Sequence, residues 1–356
     1  MLNKKKVCVA LSGGVDSSVA AMILQDEGFD CIGITMDIGD CENLQKGIST
    51  IEGAKRIADK LGIPHYVVDV RKYFEDKVIK YFANEYLRGY TPNPCVVCNY
   101  YLKFGVLLDK AIELGADYIA TGHYVKLYYS DEYKRFIIKK AVDKAKDQTY
   151  FLYKMSQYQI AHTLMPLGGY TKKEVQRIAI EKGLFEKPKA ESQEICFIPD
   201  GDYRKFLKHY LRDMPDSGGD FVDLNGKVIG KHLGIQYYTI GQRRGLGVAL
   251  GKRVYVVDIV PESNTVVLGP KEALLKRELI SIKNNFILFE KLKESIRVEA
   301  KIRYNAKLAK ATIKPKSDDE VHVIFDEPQN AITPGQSVVF YKDDMLLGGG
   351  VILRAV

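Results

Sequence analysis

The chain has 356 residues, of which 46% are hydrophobic and 28% charged, and its formal net charge is +8. This composition is typical of a folded globular protein, and no apolar run approaches the length of a membrane span, so no membrane association is expected. The length predicts two or three domains, and the positive charge is compatible with a polyanionic partner. Six cysteines without the spacing of a secreted disulfide framework indicate a cytoplasmic protein.

The first predicted strand covers residues 7–11 and ends in a glycine turn that opens a predicted helix. This arrangement presents free backbone N–H groups and a positive helix end to phosphate. The candidate ATP-binding residues of the turn are Ala10, Leu11, Ser12, Gly13, Gly14, Val15, Asp16 and Ser17. Asp16 is also a candidate ligand of Mg²⁺. Because Gly-Lys-Ser/Thr is missing, the turn is no Walker loop; it resembles the PP-loop, Ser-Gly-Gly-x-Asp-Ser, of ATP pyrophosphatases.

Short strands alternate with helices over the first 200 residues. Further strands are predicted over 31–36, 66–70 and 118–121, with helices over 51–61, 78–87 and 104–114. This alternation indicates an α/β domain with a parallel sheet, in which ligands bind at the carboxyl ends of the strands. Ser12, Met36 and Gly122 lie at such ends.

The remaining chain has a different pattern. Turn-type residues over 213–220 and short strands over 253–260 and 265–268 indicate a small central domain. Alternating apolar residues over 298–304 and 309–313, then strands over 321–325, 337–341 and 351–353, indicate a barrel or sandwich. We predict a PP-loop domain over 1–200, a central domain over 201–280, and a C-terminal β-barrel-like domain over 281–356.

Three cysteines lie in loop-like sequence next to proline. Cys95 and Cys98 form a Cys-x-x-Cys segment, and Cys196 lies far downstream. A reactive thiolate needs access and positive surroundings. The candidate cations near these cysteines in sequence are Lys103, Lys187 and Lys189. From the local sequence alone, burial and reactivity are about equally compatible with Cys98 and Cys196.

The whole chain resembles the bacterial tRNA-specific 2-thiouridylases (the MnmA/TrmU family). The resemblance begins at the PP-loop and continues in order through Asn93-Pro94, Cys98-Asn99, 120–124, 146–152, 191–198, 238–247, 302–304 and 334–336. Matches in the same order over nearly the full length are very specific.

The resemblance implies 2-thiolation of the wobble uridine in tRNAs of the Glu, Gln and Lys type, with ATP and Mg²⁺ as cofactors. The uridine C2 oxygen would be adenylated, Cys196 would carry a persulfide, and Cys98 would be the nucleophile. A cysteine desulfurase or a sulfur-relay protein would supply the sulfur, and Met36 and Gly122 would line the nucleoside site. The resemblance also implies that the domain over 1–200 is catalytic and that the central domain over 201–280 binds tRNA. The implied tRNA contacts are Asn93, Pro94, Cys95, His123, Lys146, Asp147, Gln148, Arg303, Tyr304 and Gln336.

One departure from the family leaves alternatives open. Many members carry Asp where this chain has Cys95. Cys95, Cys98 and Cys196 together also match the pattern of tRNA thiolases that hold a [4Fe–4S] cluster, in which Cys95 would be a metal ligand. Two further alternatives are another PP-loop synthetase or amidotransferase, which needs no paired reactive cysteines, and a tRNA-binding module without catalysis.

Overall fold

The computed structural model describes residues 4–39, 46–187, 195–212, 217–248 and 251–356. Cys41, Lys189 and positions 191–194 of the predicted Cys196 segment lie outside these ranges. The helices are α1 Val15–Asp26, α2 Lys46–Leu61, α3 Arg71–Phe74, α4 Lys80–Leu87, α5 Pro94–Cys98, α6 Leu107–Glu113, α7 Gln157–Ala161, α8 Lys172–Glu181 and α9 Tyr203–Tyr210. The strands are β1 Lys6–Ala10, β2 Asp30–Asp37, β3 His65–Asp69, β4 Tyr118–Ala120, β5 Val125–Ser130, β6 Arg135–Lys140, β7 Thr163–Leu164, β8 Gly219–Val222, β9 Val228–His232, β10 Tyr255–Val260, β11 Thr265–Gly269, β12 Leu275–Phe286, β13 Ile296–Lys301, β14 Ala309–Pro315, β15 Val321–Asn330, β16 Ser337–Lys342 and β17 Met345–Ala355.

The N-terminal region contains a five-stranded parallel sheet with the order β3-β2-β1-β4-β7, which confirms the predicted α/β class. Val7, Cys8 and Val9 are fully buried, as expected for a strand covered on both faces. The chain passes from β1 to β2 on one side, and β4 lies on the other side. The switch point of the sheet therefore lies between β1 and β4, where α/β proteins bind ligands.

Two helical segments are longer than predicted. Turns of π-helix, Glu75–Ile79 and Asn99–Val106, join α3 to α4 and α5 to α6. The second segment begins at Pro94 because Asn93 caps it and proline is preorganised for a first helical turn. The interpretation of Cys95 and Cys98 as loop residues is therefore wrong, since both lie on a helix.

The C-terminal region is a closed barrel with the strand order β12-β15-β14-β13-β16-β17, closed by pairing of β12 with β17. The predicted alternation holds in β13, where Val298 and Ala300 face the core. The predicted extension of this strand to residue 304 is wrong, because the strand ends at Lys301. A turn follows, in which the Ala306 N–H donates to the Arg303 carbonyl over 3.0 Å.

A hairpin of β5 and β6, which the sequence reading missed, connects the first region to the barrel through one pairing of β6 with β17. The central region forms a four-stranded sheet with the order β10-β11-β8-β9. One continuous apolar cluster includes Ile34, Phe82, Phe221 and Tyr341, so all three regions share a core. This common core holds the barrel and the central sheet against the parallel-sheet region.

Within the described ranges, no helix combines the length and apolar character needed to cross a membrane.

Candidate active site

The glycine turn after β1 is the candidate phosphate loop, and its backbone conformation is tightly constrained. Gly13 has a φ of +68°, and a Cβ there would lie 3.0 Å from backbone atoms of Gly53 and Ala54 in α2. Gly14 is the N-cap of α1 and supplies no side-chain hydrogen bond to the first turn. Ser17 Oγ accepts from the Ser12 N–H over 3.2 Å and donates to the Gly14 carbonyl over 3.2 Å. The turn is therefore preformed, with N–H groups of α1 directed at the space before it.

The carboxylate of Asp16 in the first turn of α1 has two donors on one oxygen. Lys172 Nζ and Tyr124 Oη each lie 2.7 Å from Asp16 Oδ1. The Lys172 side chain is only 11% exposed, so this ion pair is shielded from solvent. The Lys172 backbone N–H donates to Asp143 Oδ2 over 3.0 Å, which holds the start of α8 beside the turn. The lysine thus orients the carboxylate and places a second charge at the phosphate loop.

Gly122, directly after β4, packs against the start of α1. A Cβ on Gly122 would lie 2.7 Å from Asp16 C and 2.8 Å from Ser17 N, so only glycine allows this approach. Gly122 and Met36 line a cavity of about 230 Å³ in front of the turn. The other candidate ATP-binding residues on its wall are Ala10, Leu11, Ser12, Asp16 and Ser17. Gly13, Gly14 and Val15 belong to the turn itself.

Cys95, Cys98 and Cys196 are free thiols that line one cavity of about 520 Å³. Cys95 and Cys98 are three residues apart and so lie on the same side of α5. Cys196 belongs to the chain segment that precedes α9 and is exposed at the cavity. Pro94 also lines this cavity, while Asn93 accepts a hydrogen bond from the Val96 N–H over 3.4 Å as the helix cap.

The surroundings of the thiols favour their protonated form. Burial raises the pKa of the Cys98 thiol to about 11, although the positive charge of Lys103 acts in the opposite direction. Although Cys196 is exposed to solvent on one side, desolvation by the surrounding protein, then the neighbouring Cys98 and Cys95, raises the pKa of its thiol. Burial also raises the pKa of Cys95. Of the candidate cations, Lys103 lines the cavity, whereas Lys187 is not among its lining residues.

The thiol cavity and the phosphate-loop cavity share walls. Ser12, Met36, Lys103, His123 and Gln148 line both of them. The two cavities are therefore adjacent. This adjacency is the central geometric property of the site.

His123 and Gln148 occupy fixed positions in this shared wall. His123 Nδ1 lies 2.8 Å from Thr121 Oγ1, and burial, then the Lys103 charge, lower the pKa of His123 well below its usual value. His123 is therefore neutral at neutral pH. Gln148 Oε1 accepts from the Tyr124 N–H over 2.9 Å. Gln148 thus links the wall to the tyrosine that also donates to Asp16.

The predicted tRNA contacts next to Gln148 lie in a turn. Asp147 Oδ2 accepts from the Ala141 N–H over 2.9 Å, so its carboxylate closes the turn. The Lys146 N–H donates to the Asp143 carbonyl over 3.1 Å. Neither residue lines the two cavities described above.

The predicted tRNA contacts in the barrel have intramolecular partners. Gln336 Nε2 donates to the carbonyls of Thr91 and Pro92 over 3.0 and 3.2 Å, which anchors the segment that leads to Cys95. The Tyr304 ring lies 4.6 Å, centroid to centroid, from the ring of Phe151, which lines the thiol cavity. Arg303 faces a separate cleft.

The three thiols do not form a metal-binding geometry in this structure. Among the described residues, no three His, Cys, Asp or Glu side chains converge so that they could hold one metal ion. Cys95, Cys98 and Cys196 line one cavity.

Sequence reasoning missed two residues of the phosphate loop site. Lys172 and Tyr124 reach Asp16 from positions 156 and 108 residues away along the chain. The pattern Thr171-x-x-Glu174 is a capping box and predicts the start of α8. No local pattern connects that helix start to Asp16, so only the folded chain identifies the contact.

Comparison with known proteins covers almost the whole chain. The family model described as "tRNA methyl transferase HUP domain" matches residues 5–200. The "tRNA methyl transferase PRC-barrel domain" matches residues 204–270, and the "Aminomethyltransferase beta-barrel domain" matches residues 276–352.

Full-length relatives carry a more specific name. The tRNA-specific 2-thiouridylase MnmA of Pelotomaculum thermopropionicum is 54% identical to this chain over 99% of this chain and 98% of the relative. The protein of the same name from Clostridium acetobutylicum is 54% identical over 98% of this chain and 99% of the relative. The tRNA-specific 2-thiouridylase MnmA 1 of Caldanaerobacter subterraneus is 52% identical over 99% of this chain and 98% of the relative.

A parallel sheet with a phosphate loop at its switch point defines a PP-loop nucleotide-binding protein of the α/β class. The central sheet and the closed barrel add the arrangement of domains that the three family models describe. With relatives more than 50% identical over its full length, the chain belongs to the tRNA-specific 2-thiouridylase (MnmA) family.

Proposed function

We propose that this protein catalyses ATP-dependent 2-thiolation of the wobble uridine of tRNA. The observation that carries the proposal is the shared wall between the phosphate loop and the thiols, formed in part by Ser12, Lys103 and Gln148. Adenylation needs a phosphate loop, and sulfur transfer needs a thiol pair. One carbonyl group of the substrate must meet both, since its oxygen is adenylated and its carbon receives the sulfur, and the adjacent cavities support this.

ATP binds with its phosphates at the turn after β1. The N–H groups at the start of α1 and the positive end of the helix stabilise the phosphate charge. Both protein donors of Asp16 contact Oδ1, so Oδ2 is the oxygen that we assign to Mg²⁺. Mg²⁺ is usually held by one or two carboxylates together with substrate phosphates, and one carboxylate here fits that pattern. When bound, the ion neutralises phosphate charge, and Lys172 adds a second positive charge.

The first chemical step converts a poor leaving group into a good one. The C2 oxygen of the uridine attacks the α-phosphorus of ATP, the bond to the bridging oxygen breaks, and pyrophosphate leaves. The base now carries AMP on its C2 oxygen. The neutral His123 and the Gln148 side chain lie in the wall between the two cavities, where they position the base and the α-phosphate.

The second step transfers sulfur. The terminal sulfur of a persulfide on Cys196 attacks C2, and the C2–O bond breaks as AMP leaves. Cys98 then attacks the Cys196 sulfur, the electron pair of the broken S–S bond stays on the thiolated base, and a Cys98–Cys196 disulfide forms. In the alternative order, Cys98 first releases sulfide, which attacks C2. A cysteine desulfurase or a sulfur-relay protein supplies the persulfide, and a dithiol reductant restores both thiols.

The tRNA contacts extend beyond the base. Pro94 and Cys95 line the thiol cavity and Asn93 caps the helix that carries them, and we assign all three as tRNA contacts. Lys146, Asp147, Arg303, Tyr304 and Gln336 are the proposed contacts outside it. The structural roles of Asp147 and Gln336 make them positioning residues as well, since each also holds the backbone of a neighbouring segment.

The decisive experiment is reconstitution. Purified protein, an unmodified tRNA of the Glu, Gln or Lys type, Mg²⁺-ATP, a cysteine desulfurase with cysteine, and a dithiol reductant are incubated, and the digested nucleosides are analysed by mass spectrometry. We expect one 2-thiouridine per tRNA, with one AMP and one pyrophosphate released. Omission of ATP and the variant Cys98→Ser with a persulfide donor are the controls. Failure to form 2-thiouridine with any of the three tRNA types would refute the proposal.

The same experiment separates the alternatives. A PP-loop synthetase or amidotransferase would consume ATP without thiolating tRNA and would tolerate loss of both thiols. A binding module would hold tRNA without releasing pyrophosphate. A cluster-dependent thiolase would be inactive until iron and sulfide were incorporated anaerobically, and it would depend on Cys95 as strongly as on the other two thiols.

A further inference from the structure

The sulfur-transfer step described above uses two of the three thiols in the cavity and gives the third no chemical task. Cys98 and Cys196 end that step joined as a disulfide, which must be opened before the next sulfur can be loaded. Cys95 lines the same cavity and is half-buried, so its side chain is not enclosed by the core. Cys95 is therefore a third nucleophile in the cavity where the disulfide forms.

Cys95 and Cys98 are held side by side on α5. The Asn99 N–H donates to the Cys95 carbonyl, which closes a helical turn around the pair. The two intervening residues, Val96 and Val97, are only 2% and 4% exposed, so they fix the helix in the core while both thiols line the cavity. Side chains three residues apart on a helix have Cβ atoms about 5–6 Å apart, and a disulfide needs about 3.5–4.5 Å. A small adjustment of one helical turn would therefore join the two sulfurs.

Cys196 is held at the same cavity by the residue that follows it. Phe197 is buried, and its ring centroid lies 5.7 Å from that of Phe74, which also lines the cavity. Repulsion from Cys98, then from Cys95, contributes to the raised pKa of the Cys196 thiol, so the three thiols lie within electrostatic range of one another. The anchored phenylalanine thus keeps Cys196 near both cysteines of α5.

We propose that Cys95 is the resolving thiol of the sulfur-transfer cycle. Its thiolate attacks Cys98 Sγ in the Cys98–Cys196 disulfide, a Cys95–Cys98 disulfide forms, and the electron pair of the broken bond leaves on Cys196, which takes up a proton. This exchange consumes no electrons and returns Cys196 to the thiol that accepts the next sulfur. A reductant protein of the dithiol class then supplies the electrons and protons that reopen the Cys95–Cys98 disulfide. The inference rests on the proposed function, because it needs the disulfide that thiolation leaves behind.

The position of Cys95 on the same helix as Cys98 favours it over a thiol from solution. A group held next to its reaction partner acts at an effective concentration far above that of a free reductant. Attack at Cys98 also closes the shortest ring, since only two residues separate Cys95 from Cys98 and a long stretch of chain separates either of them from Cys196. A short loop costs less entropy to close than a long one.

The test follows the three thiols after one turnover. Protein charged by a cysteine desulfurase with cysteine is freed of reductant and mixed with tRNA and Mg²⁺-ATP, and free thiols are then alkylated with N-ethylmaleimide. The tryptic peptide 89–103 contains both Cys95 and Cys98, and the peptide 190–204 contains Cys196, so mass spectrometry separates the possible disulfides. We expect peptide 89–103 to lack two hydrogens and Cys196 to carry the maleimide. In Cys95→Ser the two peptides should be joined by the Cys98–Cys196 disulfide. Uncharged protein carried through the same steps is the control for air oxidation.

Steady-state turnover gives a second measurement. With a thioredoxin-class protein as the reductant, Cys95→Ser should form about one 2-thiouridine per protein and then slow to at most about a tenth of the wild-type rate. Excess dithiothreitol, a small dithiol, should restore most of the turnover. Cys31→Ser is the matched control, since it removes a buried thiol that does not line the cavity, and it should give the wild-type disulfide and turnover.

Each outcome decides for or against the inference. A Cys98–Cys196 or Cys95–Cys196 disulfide as the main product in the wild-type protein would overturn it. Equal steady-state rates of Cys95→Ser and wild type with the protein reductant would also contradict it. Loss of the first turnover in Cys95→Ser, with iron bound to the wild-type protein, would assign Cys95 to a cluster instead. Failure of the proposed function is distinguishable from all of these, because the wild-type protein would then form no 2-thiouridine.

Discussion

Lys172 Nζ lies 2.7 Å from Asp16 Oδ1, and this ion pair joins the start of α8 to the start of α1 beside the phosphate loop. Tyr124 Oη lies at the same distance from the same oxygen. The carboxylate is therefore held in one orientation before any ligand binds. We regard Lys172 as a positioning residue for Asp16 that also contributes charge to the phosphate site.

Replacement of Lys172 by methionine tests this role. The change leaves a partly buried carboxylate with one donor fewer, which costs about 1–3 kcal/mol of folding free energy. We expect kcat/KM for ATP to fall by about 10- to 100-fold, as for other residues that orient a metal ligand. Lys172→Arg keeps the charge and should recover part of the loss. Steady-state thiolation and thermal unfolding measure the two effects, and an unchanged kcat/KM would contradict the assignment.

The two sulfur chemistries predict different outcomes for the three thiols. In the persulfide mechanism, Cys98→Ser and Cys196→Ser each abolish thiolation with a desulfurase as donor, because each thiol has its own step. Cys95→Ser then keeps substantial activity. Iron analysis of the purified wild-type protein accompanies the assay. Equal inactivation of all three variants, together with bound iron, would favour the cluster mechanism.

The raised thiol pKa values predict a pH dependence of alkylation. The thiolate is the reactive form, and the pKa of Cys98 is about 11, so its fraction of thiolate rises about ten-fold per pH unit between pH 7 and 10. The iodoacetamide reaction of Cys98, followed by peptide mass spectrometry, should rise in the same proportion.

Burial raises the pKa of Cys98 and the positive charge of Lys103 lowers it, so removal of that charge tests the second effect. Lys103→Met raises the pKa of Cys98 further, so alkylation at a given pH slows. Lys110→Met, at a half-buried position that does not line the thiol cavity, is the control and should leave the alkylation rate unchanged. If the alkylation rate of Cys98 in the wild-type protein were already maximal at pH 7, a group other than Lys103 would have to stabilise the Cys98 thiolate.

Substitution of Gly122 tests whether the close approach of the segment after β4 to the start of α1 is needed for the nucleotide site. In Gly122→Ala the new Cβ meets backbone atoms of Asp16 and Ser17, which cannot move without displacing the start of α1. We expect a loss of about 1–3 kcal/mol of stability and a strong rise in the ATP half-saturation constant. Gly169→Ala is the matched control, since no atom lies within 4 Å of its added Cβ. Equal ATP half-saturation constants in the two variants would mean that the close approach of Gly122, after β4, does not shape the nucleotide site.

The local sequence was sufficient to predict the strand and the helix that flank the phosphate loop. The run Val7–Val9, the paired glycines and the following helix pattern identify a strand, a turn and a helix by local rules of burial and backbone conformation. The strand ends with Ser12, Met36 and Gly122 follow from the same pattern, and the structure brings them to one edge of the sheet. Alternation in β13 and β14 identified the barrel strands, because a strand with one wet face has a period of two.

Only the tertiary structure decided which residues meet across the site. Cys196 and Cys98 line one cavity, Lys172 reaches Asp16, and Arg303 shares a cleft with Arg243 and Arg244. None of these pairs is close in sequence, so no periodicity or spacing connects them. The balance of charge and burial at the thiols was likewise not readable from sequence, because the pKa of Cys98 depends on how much protein surrounds it and on the distance to Lys103.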